Sequence, residues 1–478
     1  MPSVRLFLSR LESPRDSSVA AGNAMLAGAL ERLGCRIERH GRVILEGAEQ
    51  FLPLPRARFQ SRLLAEGPSD LAFYDDAGLE LCLPNRGVAR KSAVLYHGLA
   101  WNQPLWLANP DVDLHCGNSA YLASVLRCVL SYPDWHRRRC LDPRAFGNVA
   151  DLTLALPCVD EPEGLLIPYG ADAPATVMDA LADGSTWGHA LQAGKHDWTA
   201  TVNILVKANE LARERGDPPI RLLVAALDLA RSGPGSLAAA AAASGARLDE
   251  LVRPVPLLNQ RALFRIMASC RFALAYNAIP ESFGFHILES VYHGCPVYTN
   301  GAGNIRHALP RHHGITVLET CAMEPADASS YAPVAQRLLD DLARPAEMAA
   351  KCARGAALMR EKLSLAAFER RVGDLLSRIG CEPDPVSAFE DLEISVSPLV
   401  RCHETGTGVL ISDLARMVLS REQVAVLASL PGRTCGDAVR DRKLAPELLD
   451  WFFDQGILTL APPGAATRHP PTASPLSA

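Results

Sequence analysis

Two glutamates, Glu281 and Glu289, stand eight positions apart in "PESFGFHILESVYHGCPVYTNGAGN" (280–304). On one helix they would lie about 12 Å apart, beyond the roughly 5–9.5 Å that separates the carboxylates of a glycoside hydrolase. Such a pair suits the two ends of an elongated ligand, with Glu281 in the loop before a helix and Glu289 about two turns inside it. Between them, Ser282, Phe283, Gly284 and Phe285 present backbone N–H groups at a helix N-terminus, where partial positive charge favours a phosphate. Gly284 lets the backbone come close. A carboxylate accepts two hydrogen bonds from a vicinal diol, so Glu289 suits a ribose and Glu281 the hydroxyls of a sugar, with a diphosphate between them. The implied ligand is a nucleotide sugar.

The elements that must position these residues alternate along the chain. "VRLFLS" (4–9) reads as a short buried strand and "SSVAAGNAMLAGALERLG" (17–34) as a helix ending on glycine. The runs "DLAFYDD", "SAVLYHG", "VDLHCGN" and "GLLIPYGAD", with the helical "SAYLASVLRCVL", continue the pattern. His115 reads as strand-end packing and Asn118 as a helix cap. Residues 173–186 carry no strand signal and read as a crossing between domains. The alternation then restarts through "TWGHALQAG", "DWTATVNILVKANELARER", "IRLLVAALD", "RFALAYN", the glutamate-bearing segment, "PVYTN" and a long helical stretch, 330–379. Short strands separated by helices imply parallel sheets covered on both faces. The expected architecture is α/β: two Rossmann-like domains, 1–172 and 185–380, facing a cleft, which is the expected ligand site.

The segment 280–304 resembles the E-x7-E signature of retaining glycosyltransferases of the GT-B fold, family 4 type, with the Gly-x-Pro-Val and glycine-rich loop that follow it. "AAGNAMLAGALERLGCRI" resembles the glycine-containing first loop and helix of that family, "VLYHGLAWN" its histidine-bearing loop, and "LLIPYGAD" the segment closing its first domain. The resemblance covers residues 1 to about 380. It implies that Glu289 holds the ribose and Glu281 the sugar, that the amides of Phe283 to Phe285 hold a phosphate, that His97 lends a hydrogen bond to a donor-sugar hydroxyl, and that Gly22, in the first loop, lets the chain approach the diphosphate. It further implies a hexosyl-type transferase in which the acceptor attacks from the face the diphosphate leaves. Such a reaction rests on positioning and on stabilising the leaving group, with no enzymatic nucleophile and no metal ion or other cofactor. The sequence departs from the family at two places. Members carry Gly-Arg and, some five residues later, Lys-Gly, whose cations neutralise the diphosphate; "LQAGKHDWTATVNIL" offers the single lysine Lys195. The acid usually found after Gly-x-Pro-Val is absent from Gly303-Asn304-Ile305-Arg306-His307, where Arg306 is a candidate for the missing cation.

Beyond an acidic, proline-bearing linker, "VRCHETGTGVLISD" reads as a hairpin followed by helices at "SREQVAVLASLPG" and "APELLDWFFDQGIL". This stretch, 393–462, is similar to the small α+β winged-helix peptide-recognition modules of enzymes that modify ribosomally made peptides. It implies a peptide or protein acceptor held as an added strand. Residues 463–478 read as a disordered tail. "WNQPLW" (101–106) and the basic cluster His136 to Arg139 read as packing tryptophans and a solvated face. The 478 residues carry a net charge of −5, which gives no global field for nucleic acid. Thirteen cysteines without a C-x-x-C pair suggest neither a zinc site nor a disulfide framework, and no apolar run is long enough to span a membrane, so a cytoplasmic enzyme is expected. Two other readings compete: a catalytically degenerate GT-B protein that binds a nucleotide sugar or a partner without turnover, and a DNA-binding regulator resting on the winged helix alone.

Overall fold

The computed structural model describes residues 2–8, 18–41, 53–75, 82–98, 107, 109–132, 148–162, 165–166, 170–320, 327–379, 389–441 and 444–461. The tryptophan loop, the His136 to Arg139 cluster, residues 381–388 of the expected linker 381–398 and the tail 463–478 lie outside them; the rest of that linker holds a short 3-10 turn, Phe389–Asp391, and a strand, Glu393–Val396. The chain divides into two compact units, each built on a parallel six-stranded sheet.

The first unit holds the residues up to Ala155, Leu363–Val400 and the described residues from Leu419 on. Its strands β1 (Ser3–Leu8), β2 (Arg36–Gly41), β3 (Ser69–Asp75), β4 (Ala89–Tyr96), β5 (Leu114–Gly117) and β6 (Val149–Asp151) run in the order β2-β1-β3-β4-β5-β6. All pair in parallel. The central strands read as apolar runs because helices cover both faces, burying Leu6, Phe7, Ala72, Phe73, Val94 and Leu95. Helix Ser18–Arg32 stops at Gly34, whose φ of 81° suits a glycine C-cap. Helix Ala120–Leu130 is capped by the side chain of Ser119, which accepts from the Leu122 amide at 3.1 Å. The expected cap, Asn118, instead donates to the His97 carbonyl. His115 is a packing residue: Tyr96 meets its Nδ1 at 3.0 Å, and burial lowers its pKa to about 3.

Helix Leu365–Ile379, expected in the second domain, belongs to this first unit. Arg371 Nε donates to the Thr153 carbonyl, and Glu369 pairs with Arg32 at 2.6 Å. The antiparallel pair β13 (Glu393–Val396) and β17 (Leu458–Ala461) also lies here, against helix Ala120–Leu130, with Ser131 Oγ accepting from the Leu460 amide at 2.8 Å.

The second unit holds Leu156–Lys362 and Arg401–Val418. Strands β7 (Thr186–Ala190), β8 (Ile220–Ala225), β9 (Val252–Val255), β10 (Phe272–Ala275), β11 (Val297–Thr299) and β12 (Ile315–Val317) run in the order β12-β11-β10-β7-β8-β9, all parallel. Helix Trp198–Arg215, capped by Asp197, packs its Val202, Leu205 and Ala208 into the core beside Phe272 and Tyr298. The expected crossing 173–186 contains a short helix, Ala175–Leu181.

The hairpin expected across Gly-Thr-Gly is present as β14 (Val400–Glu404) and β15 (Val409–Ser412), extended by β16 (Arg416–Val418). Residues 401–418 belong with the second sheet while 419–461 belong with the first, so the expected 393–462 module is shared between the two units. The hairpin carries buried charges that pair with Arg306 and Glu319 of the second unit, described below. Among the described residues no helix is long and apolar enough to cross a membrane, and the ten described cysteines are buried.

Candidate functional site

In the second sheet the chain winds outward from β7 through β8 to β9 on one side, then returns to β10 and winds to β12 on the other. The carboxyl ends of β7 and β10 are therefore the topological switch point, where open α/β sheets bind ligands. The two loops leaving these strands are laced together. Asp197 N donates to Tyr276 O, Ala278 N donates to Lys195 O, and His196 bridges Asn277.

Glu281 lies in the β10 loop, 4% exposed. Its Oε1 accepts from Gln192 Nε2 at 2.6 Å and from Lys195 Nζ at 2.8 Å, both from the β7 loop. Glu281 and Lys195, read separately from the sequence, are thus brought together. Lys195 remains 41% exposed and can extend outward. Gln192 escaped sequence reasoning because a lone glutamine in a loop carries no spacing signal.

Past Glu281 the backbone turns at Gly284, whose φ of 90° places it in the left-handed region, and helix Phe285–Tyr292 begins. The amides of Gly284, Phe285 and His286 precede the first helical hydrogen bonds, which Ile287 and Leu288 make back to the Gly284 carbonyl. Phe283 is 3% exposed and its ring rests on that of Phe285 at 4.5 Å. Ser282 stands between Glu281 and this pair, half-buried. Glu289 falls just over one turn into the helix, not two, because the helix starts four residues after Glu281. It is 4% exposed, accepts from Gln260 Nε2 at 2.7 Å, and burial raises its pKa to about 7 against the Gln260 hydrogen bond.

Three imidazoles, His189 and His196 buried and His286 half-buried, lie near the start of this helix. His189 on β7 meets Ser290 Oγ at 3.3 Å and the His286 ring edge-to-face at 5.2 Å. Burial holds all three neutral, with His196 near 3 and His286 near 4, and Lys195 lowers His286 further. The imidazoles therefore add no positive charge at neutral pH; among the described residues Lys195, the helix start and Arg231, whose guanidinium lies against Gly194, do.

Arg306 does not supply the second cation. Its guanidinium is 6% exposed and donates to the Gly301 and Gly303 carbonyls and to both oxygens of Asp413 on the C-terminal hairpin. A buried guanidinium whose donors face a carboxylate and two carbonyls is already neutralised.

In the first unit, Gly22 lies inside helix Ser18–Arg32, not in a loop. A Cβ there would come within 2.8 Å of His97 Cε1, so the close approach that this glycine permits is that of the His97 ring. His97 Nε2 meets Asn23 Oδ1 at 3.3 Å, and Asn23 Nδ2 donates to the buried Asp75 at 2.7 Å. An asparagine that donates to a carboxylate turns its carbonyl to the histidine, so Nε2 carries the His97 proton. Asn23 and Asp75 had no sequence signal of their own.

Among the described residues no group of three or more His, Cys, Asp or Glu is placed to hold a metal ion. Gly303, in the loop after β11, has φ of 78°, and a Cβ there would lie 2.2 Å from the Glu281 carbonyl oxygen. Gly303→Ala should cost roughly 2–4 kcal/mol in left-handed strain and overpacking, read by chemical denaturation.

The two sheets define two Rossmann-like domains of the kind found in GT-B glycosyltransferases. No protein-family model matches the sequence, and no curated protein matches it by sequence. Among solved structures the chain is similar to sucrose-phosphate synthase from Thermosynechococcus elongatus, at 15% identity over 80% of this chain and 99% of that one, with a TM-score of 0.51. It is similar to an α,α-trehalose-phosphate synthase (UDP-forming) from Burkholderia vietnamiensis, at 11% identity over 81% and 99%, with a TM-score of 0.52. Anabaena HepE in complex with UDP and glucose is a third, at 13% identity over 79% and 100%, with a TM-score of 0.50. At these identities the likeness is one of fold.

Proposed function

We propose that this protein transfers a hexosyl group from a nucleotide-sugar donor to an acceptor with retention of anomeric configuration, as a cytoplasmic family 4 type enzyme that needs no metal ion. The observation that carries the reading is the buried Glu281, paired with Lys195 and Gln192 at the β7/β10 switch point and placed four residues before a helix that carries Glu289 just over one turn in. In this reading Glu281 holds sugar hydroxyls and Glu289 the ribose. The Ser282 to Phe285 amides and Lys195 stabilise the diphosphate as it leaves, and His97, steadied by Asn23, hydrogen-bonds a donor-sugar hydroxyl. The UDP and glucose bound by HepE support the ligand class.

The acceptor is a peptide or protein held by the C-terminal elements. Their order, a hairpin and third strand followed by helices Arg421–Ser429, Cys435–Arg440 and Pro446–Asp454, supports a winged-helix recognition module. A second reading, binding without turnover, is favoured by the commitment of Arg306 to Asp413, which withdraws one of the candidate cations for the diphosphate.

A thermal-shift screen of uridine and guanosine nucleotide sugars tests the ligand. A specific donor at about 100 times its Kd should add ~2.7 kcal/mol of stability. The absence of any shift across the panel would remove transfer and nucleotide-sugar binding alike, and a shift without transfer to any peptide or small acceptor would select the second reading.

A further inference from the structure

Five charged side chains gather where the C-terminal hairpin meets the loop after β11. Asp413, with no exposed side-chain surface, accepts from the Gly303 amide at 3.1 Å, from Arg401 Nε at 2.8 Å and from Arg306 at 2.9 and 3.2 Å. Arg401 continues to Glu319 at 2.8 Å, and Glu319, 5% exposed, also accepts from Arg416 at 2.7 Å. Arg416 in turn donates to the Thr320 carbonyl. Charges this deeply buried are tolerated only when their geometry is satisfied throughout, so the cluster fixes the loop Gly301–Arg306 in one position.

That loop carries the backbone of the candidate donor site. Asn304 N donates to the Glu281 carbonyl at 2.6 Å, Glu281 N donates to Ala302 O, and Asn304 Nδ2 donates to the Phe283 carbonyl at 2.8 Å. Gly303 touches the Glu281 backbone too closely for any side chain. One hydrogen-bonded step therefore separates Asp413 from the segment that bears Glu281 and leads into the Gly284 turn.

We infer that Asp413, through the Gly303 amide and Arg306, is a positioning residue for the 281–286 segment, so that a hairpin far along the chain sets the geometry in which the donor's sugar and diphosphate are held. The inference rests on the donor-site reading above, but its primary test does not. A carboxylate is required because a single side chain must accept at once from a backbone amide and two guanidinium groups. An element that the sequence reads as an appended module is thus part of the second domain's site, and a partner that displaced residues 400–418 would loosen donor binding.

The experiment is residue-resolved hydrogen exchange on the full chain and its Asp413→Asn variant, with strands β1, β3 and β4 of the first unit as internal control. The expected result is exchange at residues 281–286 and 301–306 faster by roughly 10-fold or more, the scale of one lost hydrogen bond to a charged group, with the control strands unchanged. Should Asp413→Asn not fold, Arg306→Met with Asp413→Leu removes the charges together and restores packing, and the same pattern is expected because the Gly303 amide has still lost its acceptor. Titration with UDP and GDP then reads the consequence, a Kd raised by a similar factor for whichever the wild type binds. Exchange unchanged at 281–286 in a folded variant, or raised equally in the control strands, would overturn the inference. If the wild type binds neither nucleotide while the exchange pattern holds, the donor reading fails and the positioning role stands.

Discussion

Glu281→Ala should lower kcat/KM for sugar transfer by roughly 100-fold or more, about 3 kcal/mol, while the protein keeps its fold. The scale is that of a charged group hydrogen-bonded to substrate. The fold should survive because the backbone links of Glu281 to Ala302 and Asn304 do not involve its side chain, and of the donors left behind Lys195 is 41% exposed and Gln192 half-buried, so both can find water. Steady-state kinetics with the donor identified by thermal shift measure it. A sugar-holding role lowers kcat as well as raising KM, because the sugar changes most on the way to the transition state. Glu281→Gln keeps an acceptor for Gln192 but loses the charge beside Lys195, and should fall between wild type and alanine. Wild-type turnover in Glu281→Ala would remove the carboxylate from the site.

The second large effect is on stability against pH. Burial raises the Glu289 pKa from 4.5 to about 7. The folded state therefore holds this proton to higher pH than the unfolded chain does, and stability falls as pH rises from about 4.5 to about 7 before levelling. The total is about 3 kcal/mol, taking 1.36 kcal/mol per pKa unit. Glu289→Gln keeps the acceptor for Gln260 and removes the ionisation, so the variant should gain that amount over wild type at pH 8 and nothing near pH 4. His115, His196 and His286, whose pKa values burial lowers to about 3, 3 and 4, push in the opposite sense. Each takes up a proton more readily unfolded than folded, so stability rises with pH up to about 6.5. The difference between variant and wild type, from urea denaturation at several pH values, cancels their contribution. A pH-independent difference would show that Glu289 titrates normally.

Much of the fold was legible because the central strands of both sheets are buried on both faces. "VRLFLS", "LAFYDD", "SAVLYHG", "FALAY" and "PVYTN" are apolar runs for that reason, and β1, β3, β4, β10 and β11 lie where they predict. The strands that escaped are β2, β6, β9 and β12, the outermost strands of the two sheets. An edge strand has fewer neighbours to bury against: β2, "RIERHG", keeps one fully buried residue of six, and β12 one of three. Period and apolarity, the two signals a single sequence offers, both fade there.

The candidate site divides along the same line. Glu281, Gly284 and Glu289 were legible because one loop and one helix carry them, and local geometry is written in local spacing. Gln192, Asn23 and Asp75 were not, since each gains its role from a segment that is distant in sequence and brought close by the fold. Arg306 shows the cost of reading charge without burial, for the sequence offers it to a diphosphate and the fold gives it to Asp413, 107 positions on. By itself the sequence determined two α/β sheets, the glutamate-flanked helix start and the hairpin after position 400. The tertiary structure decided that helix Leu365–Ile379 returns to the first unit, that the hairpin joins the second, and which charges remain near the switch point. Apolar pattern fixes what must be buried, but the partner that satisfies a buried charge is settled only when distant segments compete for the same space.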